Sequence, residues 1–129
     1  TFLELVQRKQ VVVARSGSNI IGYYLLNNYS KDGIIGRHED MVTRLKGERI
    51  IDRALKICVG AQAIVDAAYM GTGIRKLMLD KLVANMKGRY DYLFATIAKD
   101  NLRAYTAHTR DGWKVIGEEE QNYYVLYKV

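Results

Sequence analysis

The sequence predicts a mixed α/β (α+β) domain in which one mostly antiparallel sheet is flanked by helices. Three observations predict it. The runs 11–15 with 19–27, and 113–117 with 122–128, are rich in β-branched and aromatic residues, and each pair is joined by a short turn, which reads as two hairpins. Two further apolar runs, 55–66 and 90–98, are each followed by a stretch with helical character. A length of 129 residues with 49% hydrophobic content suits one domain around one core.

Residues 1–9 (TFLELVQRK) have apolar side chains at 2, 3, 5 and 6 and read as the tail of an amphipathic helix. VVVAR (11–15) and NIIGYYLLN (19–27) flank the turn signal Ser16-Gly17-Ser18 and form the first hairpin. Residues 28–54 are polar and irregular, with a short helix expected over Glu39 to Leu45. This segment reads equally as a surface connection or as an insertion that faces a substrate, because long connections often carry binding residues. LKICVGAQAIVD (55–66) is nearly continuous in apolar character, as a central strand covered on both faces would be. Gly60 within it marks a bulge or a close backbone approach.

Ile74, Leu77, Met78, Leu82 and Met86 recur at helical spacing, which predicts a helix over 74–86. YDYLFATIA (90–98) reads as a second buried strand. Asp100 and Asn101 are good N-cap residues for a helix running to about Arg110, and Gly112 stops it. WKVIG (113–117) and NYYVLYK (122–128) follow, joined by the acidic turn Glu118-Glu119-Glu120. Tyr23, Tyr24, Tyr123, Tyr124 and Tyr127 fall on strands, where core or sheet-surface roles are expected.

No apolar run reaches the ~18 residues of a membrane helix, so no membrane partner is expected. The single cysteine, Cys58, lies in an apolar run and reads as a buried structural thiol. One cysteine also closes no internal disulfide, which fits a cytoplasmic location. One cysteine and two histidines cannot supply a zinc cage of Cys and His ligands, so no metal site is expected. The net charge of +6 attracts anions, but the basic residues are scattered and no nucleic-acid signature is present.

The first chemical feature is the junction Met70 to Lys76. Gly71 and Gly73 flank Thr72 just before the helix that Ile74 opens. A helix N-terminus offers unpaired N–H groups and partial positive charge, which suits phosphate, and glycines let a ligand approach the backbone. Arg75 and Lys76 add positive charge. The dinucleotide fingerprint is excluded because Lys76 stands where its third glycine belongs, and the P-loop is excluded because no Gly-Lys-Ser/Thr triplet exists.

VDAAYMGTGIRKLMLDKL (65–82) and KDNLRAYTAHTRDGWKVIGE (99–118) resemble the acyl-CoA-binding segments of the GNAT N-acetyltransferase superfamily. In that family a loop Arg/Gln-x-x-Gly-x-Gly/Ala follows a strand. Later, Asn-x-x-Ala-x-x-x-Tyr precedes Gly-Phe, and Asn101, Ala104, His108, Gly112 and Trp113 fall at those offsets. The resemblance covers about 10–129. The family's first strand and most of its first helices are therefore expected to be missing, as a truncated start would leave them.

Met70 stands where Arg or Gln is usual, Arg75 where a small residue is usual, and His108 in place of the tyrosine. The register Ala68 to Gly73 restores the small positions but still lacks Arg or Gln.

The resemblance implies acetyl-CoA as cofactor, with its diphosphate on Met70, Gly71, Thr72, Gly73, Ile74, Arg75 and Lys76. It implies pantetheine along Ala63, Ile64 and Val65, paired like an added strand, and contacts from Asn101 and Ala104. The acceptor expected is a small-molecule or protein amine attacking directly in a ternary complex, with a homodimer allowed. A sensor that binds acyl-CoA without turnover is the alternative. His108 is the expected general acid, with Tyr105 as fallback. The glutamate base of some members is matched by Thr96, which cannot serve. Glu39, Asp40 and His38 are the alternatives, directly or through water, though each reads more often as a solvated surface residue.

Overall fold

The computed structural model describes residues 9–26, 33–59 and 61–129, without the side chains of 33–37. All but the last residue of the helix expected over 1–9, and the bulge expected at Gly60, lie outside the described residues. The elements are β1 (Val11–Ser16), β2 (Asn19–Leu26), α1 (Gly33–Gly47), β3 (Ile57–Cys58), β4 (Ala61–Val65), a 3-10 turn (Ala67–Tyr69), α2 (Ile74–Met86), β5 (Tyr92–Ala98), α3 (Leu102–Asp111), β6 (Lys114–Glu118) and β7 (Asn122–Lys128). The mixed, mostly antiparallel architecture flanked by helices is the one expected.

Both hairpins form. Ser16 pairs with Asn19 around Gly17-Ser18, and β6 runs antiparallel to β7. The helix expected over Glu39 to Leu45 is longer and spans Gly33–Gly47. Its apolar stripe is short in sequence, so periodicity understates it; packing of Val42 and Leu45 on the sheet supports the rest.

The main correction concerns the run 55–66, which is not one strand. Cys58 pairs in parallel with Leu93 of β5, whereas Ala61–Val65 pair antiparallel with β2. Two ladders result, ordered β1-β2-β4 and β3-β5-β7-β6. Nor is β4 covered on both faces: Ile64 is 57% exposed, while Ala61, Ala63 and Val65 pack toward α2. By contrast β5 is covered on both faces, as its apolar run predicts. Leu93, Ala95 and Ile97 join Met78, Leu79, Leu82 and Met86 of α2 in one core, and Phe94 joins Val42, Leu45 and Tyr124 in a second core under α1. Each large side chain so buried stabilises by about 1.5–3 kcal/mol.

Leu77 departs from the expected stripe. It is 68% exposed, and Leu79 takes the inward place. Tyr24 and Tyr124 are buried, and the other strand tyrosines are half-buried. Cys58 is fully buried, and burial pushes its thiol up to about 12, as a structural thiol requires. No described helix is long and apolar enough to cross a membrane.

Gly22 sets how closely β2 approaches β4 and α2. A Cβ there would stand 2.9 Å from the Ile64 carbonyl oxygen and 3.3 Å from Met78 Cε. Gly22→Ala is therefore expected to cost about 1–3 kcal/mol by overpacking, measured by urea unfolding. An unchanged midpoint would show that the ladder absorbs the methyl.

Candidate functional site

Alternate residues of an antiparallel strand send their peptide groups to opposite edges. Asp66 N–H donates to the Ile21 carbonyl at 2.7 Å, which sets the phase of β4. Gln62 and Ile64 therefore bond toward β2, and Ala61, Ala63 and Val65 turn their peptide groups to the opposite edge. On β5, Val129 N–H donates to Asp91 O at 3.0 Å and Lys99 N–H to Gln121 O at 2.9 Å, so odd residues bond toward β7. Phe94, Thr96 and Ala98 turn theirs the other way. Beyond Cys58 and Leu93 no described strand bridges these two edges. They form the walls of a slot. Ala63 and Val65 turn their peptide groups to this slot, whereas the Ile64 peptide is used by β2, because neighbouring residues cannot share an edge.

The slot ends where β4 feeds α2. Asp66 Oδ1 accepts from Ala68 N–H at 2.9 Å and winds the chain into the 3-10 turn. Gly71 and Gly73 then take φ of 78° and 86°, in the left-handed region that favours glycine. Gly73 is the N-cap of α2 and has no side chain to cap it. The first main-chain bond runs from Leu77 N–H to Gly73 O at 3.1 Å. The amides of Gly73, Ile74, Arg75 and Lys76 precede that bond and have no acceptor within the helix. A Cβ on either Gly71 or Gly73 would meet nothing within 4 Å, so the helix mouth faces open space. Met70 and Thr72 differ from expectation: their N–H groups donate back to Ala67 and Tyr69, each at 3.3 Å, and shape the loop.

The basic side chains also fall elsewhere than expected. The Arg75 guanidinium pairs with Asp111 at 2.5 Å, with side chains 20% and 7% exposed. Asp111 closes α3, where a carboxylate opposes the helix dipole, so this buried charge depends on Arg75. Lys76 Nζ donates to Asp80 at 2.6 Å and to the Tyr127 hydroxyl at 3.0 Å, and these bonds raise its pKa. Both residues bring only their amides to the mouth.

The cation that does reach the loop is Arg103, not singled out from sequence, whose Nη1 lies 3.8 Å from Met70 Sδ. Its position two residues past Asn101 was the only signal, and the contact between α3 and the loop is tertiary.

Asn101 caps α3 as expected, its Oδ1 accepting from Ala104 N–H at 3.1 Å. Its amide NH2 is then available to face a ligand. Ala104 is half-buried beside the α2 core. His108 Nδ1 lies 2.7 Å from Ala104 O, and a carbonyl only accepts, so Nδ1 carries the proton. Burial lowers the His108 pKa first of all, the nearby Arg75 charge adds to this, and the Ala104 bond and Asp111 oppose it. In the neutral form that this bond selects, Nε2 is bare.

The fallback acid Tyr105 packs against Tyr123, with ring centroids 5.1 Å apart. On the opposite face of β5, His38 Nε2 lies 3.2 Å from Thr96 Oγ1. Of the bases considered, Glu39 is half-buried and Asp40 is exposed, whereas His38 is buried at 9% exposure.

No family model matches this sequence, and no curated protein is similar to it at the level of sequence. Solved structures are similar in fold. They include an acetyltransferase of the GNAT family from Listeria monocytogenes (TM-score 0.64, 16% identity, 99% of this chain and 69% of that one). The N-acetyltransferase PseH of Campylobacter jejuni, in complex with acetyl coenzyme A, matches with TM-score 0.60 and 15% identity over 98% of this chain and 73% of that one. A ribosomal-protein-alanine N-acetyltransferase from Brucella melitensis matches with TM-score 0.62 and 16% identity over 99% of this chain and 75% of that one. The chain has the GNAT acetyltransferase fold.

The lowered pKa of His108 has a definite sign in stability. As pH falls below the ordinary histidine value of about 6.5, the unfolded chain takes up this proton before the folded one, so stability drops. His108→Gln is expected to lose stability less steeply than the parent from about pH 6.5 downward. Denaturant midpoints across that window check it, and parallel curves would assign the proton to another group.

Proposed function

We propose that the domain transfers an acetyl group from acetyl-CoA to a primary amine, by direct attack in a ternary complex. The observation that carries this reading is the open mouth of α2 at the end of the slot between β4 and β5. The site fits the cofactor in three respects. The amides of Gly73, Ile74, Arg75 and Lys76 suit a diphosphate, with Gly71 leaving room for it and Arg103 at the rim. The turned-out peptide groups of Ala63 and Val65 suit the amides of pantetheine, as an added strand would. Ala104 and the Asn101 NH2 flank the same end.

Bound there, acetyl-CoA supplies the activated thioester. The chain's own residues orient it, and they handle two protons. One must leave the attacking amine. The other must reach the departing thiolate, and His108 can deliver it only from its sparse imidazolium form. A lowered pKa makes that form scarce but a stronger acid. The acceptor is a small-molecule or protein amine.

The second reading is an acyl-CoA sensor without turnover. It is favoured by His108 standing in place of the family's tyrosine and by Thr96 standing in place of a carboxylate. A thiol-release assay over a panel of amines separates the two. Release with any amine supports the transferase, and binding without release supports the sensor.

Gly73→Glu is expected to abolish acetyl-CoA binding by calorimetry while the far-UV spectrum stays that of the parent, because a carboxylate would occupy the mouth. Undiminished affinity would remove the diphosphate from this loop. Separately, Arg103→Gln is expected to weaken binding by about tenfold, the usual worth of a charge-assisted hydrogen bond. Equal affinity would place Arg103 outside the site.

A further inference from the structure

β5 places Thr96 at the boundary between the slot and the face beneath α1. Its peptide group lies on the slot edge, and its side chain stands on the α1 side with Phe94. There His38 of α1 meets it, Nε2 to Oγ1 at 3.2 Å. The imidazole stands edge-on to Phe94, with centroids 5.9 Å apart and planes at 77°. The ring is 9% exposed, so α1 and β5 hold it in one orientation.

The other polar groups near this face are tied to one another. Tyr124, the cross-strand partner of Thr96, accepts from Arg44 Nη2 at 2.6 Å and donates to Glu119 Oε2 at 3.0 Å. Asn122 Nδ2 donates to Glu119 Oε1 at 2.7 Å. The Arg44–Tyr124–Glu119 chain fixes the wall beside Thr96. His38 is the titratable group bonded to the Thr96 side chain among the described residues.

We infer that Thr96 and His38 form a two-residue proton relay serving the acceptor amine, which enters from the α1 face. The inference rests on the acyl-transfer reading of the slot. A threonine hydroxyl is no base alone, but it can pass a proton if a base lies behind it, and the imidazole does. As the amine nitrogen attacks, the new C–N bond forms and the C–S bond of the thioester breaks. The amine proton passes to Thr96 Oγ1, whose own hydroxyl proton moves to His38 Nε2. The thiolate leaves with the electron pair of the C–S bond, and the imidazolium returns its proton to water.

The test uses the whole domain, acetyl-CoA and a panel of polyamines, aminosugars and peptides with free α- or ε-amines, with thiol release as readout. Thr96→Val keeps the shape and removes the hydroxyl. It is expected to lower kcat by about a hundredfold, within the range for general-base catalysis, while the KM for acetyl-CoA stays within about twofold. Thr96→Ser restores most of the loss. His38→Gln matches Thr96→Val, and the double variant falls no further, since both act in one step.

A parental kcat in Thr96→Val, a Ser variant as slow as the Val variant, or multiplying losses in the double variant would each overturn the relay. No release by the parent with any amine would instead overturn the acyl-transfer reading beneath it. Melting temperatures near the parent's exclude loss of fold as the cause.

Discussion

Backbone N–H and C=O groups seek partners, and on the facing edges of β4 and β5 no described strand supplies them. The two strands share a direction and come from neighbouring parts of the fold, yet they do not bond. The run that begins beside β5 at Ile57 and Cys58 has crossed to β2 by Ala61. Because β2 takes the peptides of Gln62 and Ile64, those of Ala61, Ala63 and Val65 face the opening. The slot is thus a consequence of register. Both helices whose N-termini flank it, α2 and α3, start from the carboxyl ends of these same two strands, which is where ligands bind in open α/β sheets.

Holding that opening requires α2, α3 and the strands to keep their places. A partly buried polar cluster joins them. Arg75 of α2 pairs with Asp111 of α3, and Lys76 reaches Tyr127 of β7. The rings of His108, Trp113 and Tyr127 pack in sequence, each pair with centroids 5.5 Å apart. Burial raises the pKa of the Tyr24 hydroxyl on β2 in the same surroundings. The cations that sequence patterning assigns to the loop are therefore structural, and the loop itself presents main-chain amides.

Local features were the legible part. Gly73 lies at positive φ before α2, Asn101 caps α3 with its side chain, and Gly112 closes α3 in the left-handed region. Each effect acts within a few residues, so residue type and spacing suffice to read it. The hairpins were legible for the same reason. The run 55–66 was not, because apolar character alone cannot tell one strand covered on both faces from two short strands that change partners. Arg103 gave no sign of its place beside the loop, and His38 could be read only as one of three possible bases, without its partner. Arg103 meets the loop, and His38 meets Thr96, 58 positions away, only through the packing of separate elements.

By itself, then, the sequence determined the order of the helices and of the strands outside 55–66, the glycine-flanked helix start and the positions of the caps, all consequences of short-range backbone sterics and periodic burial. The tertiary structure decided which edges stay unpaired, which cations turn inward to a buried carboxylate, and which histidine stands behind Thr96. Those outcomes depend on long-range competition for hydrogen-bond partners and buried volume, and no local pattern in the chain encodes that competition.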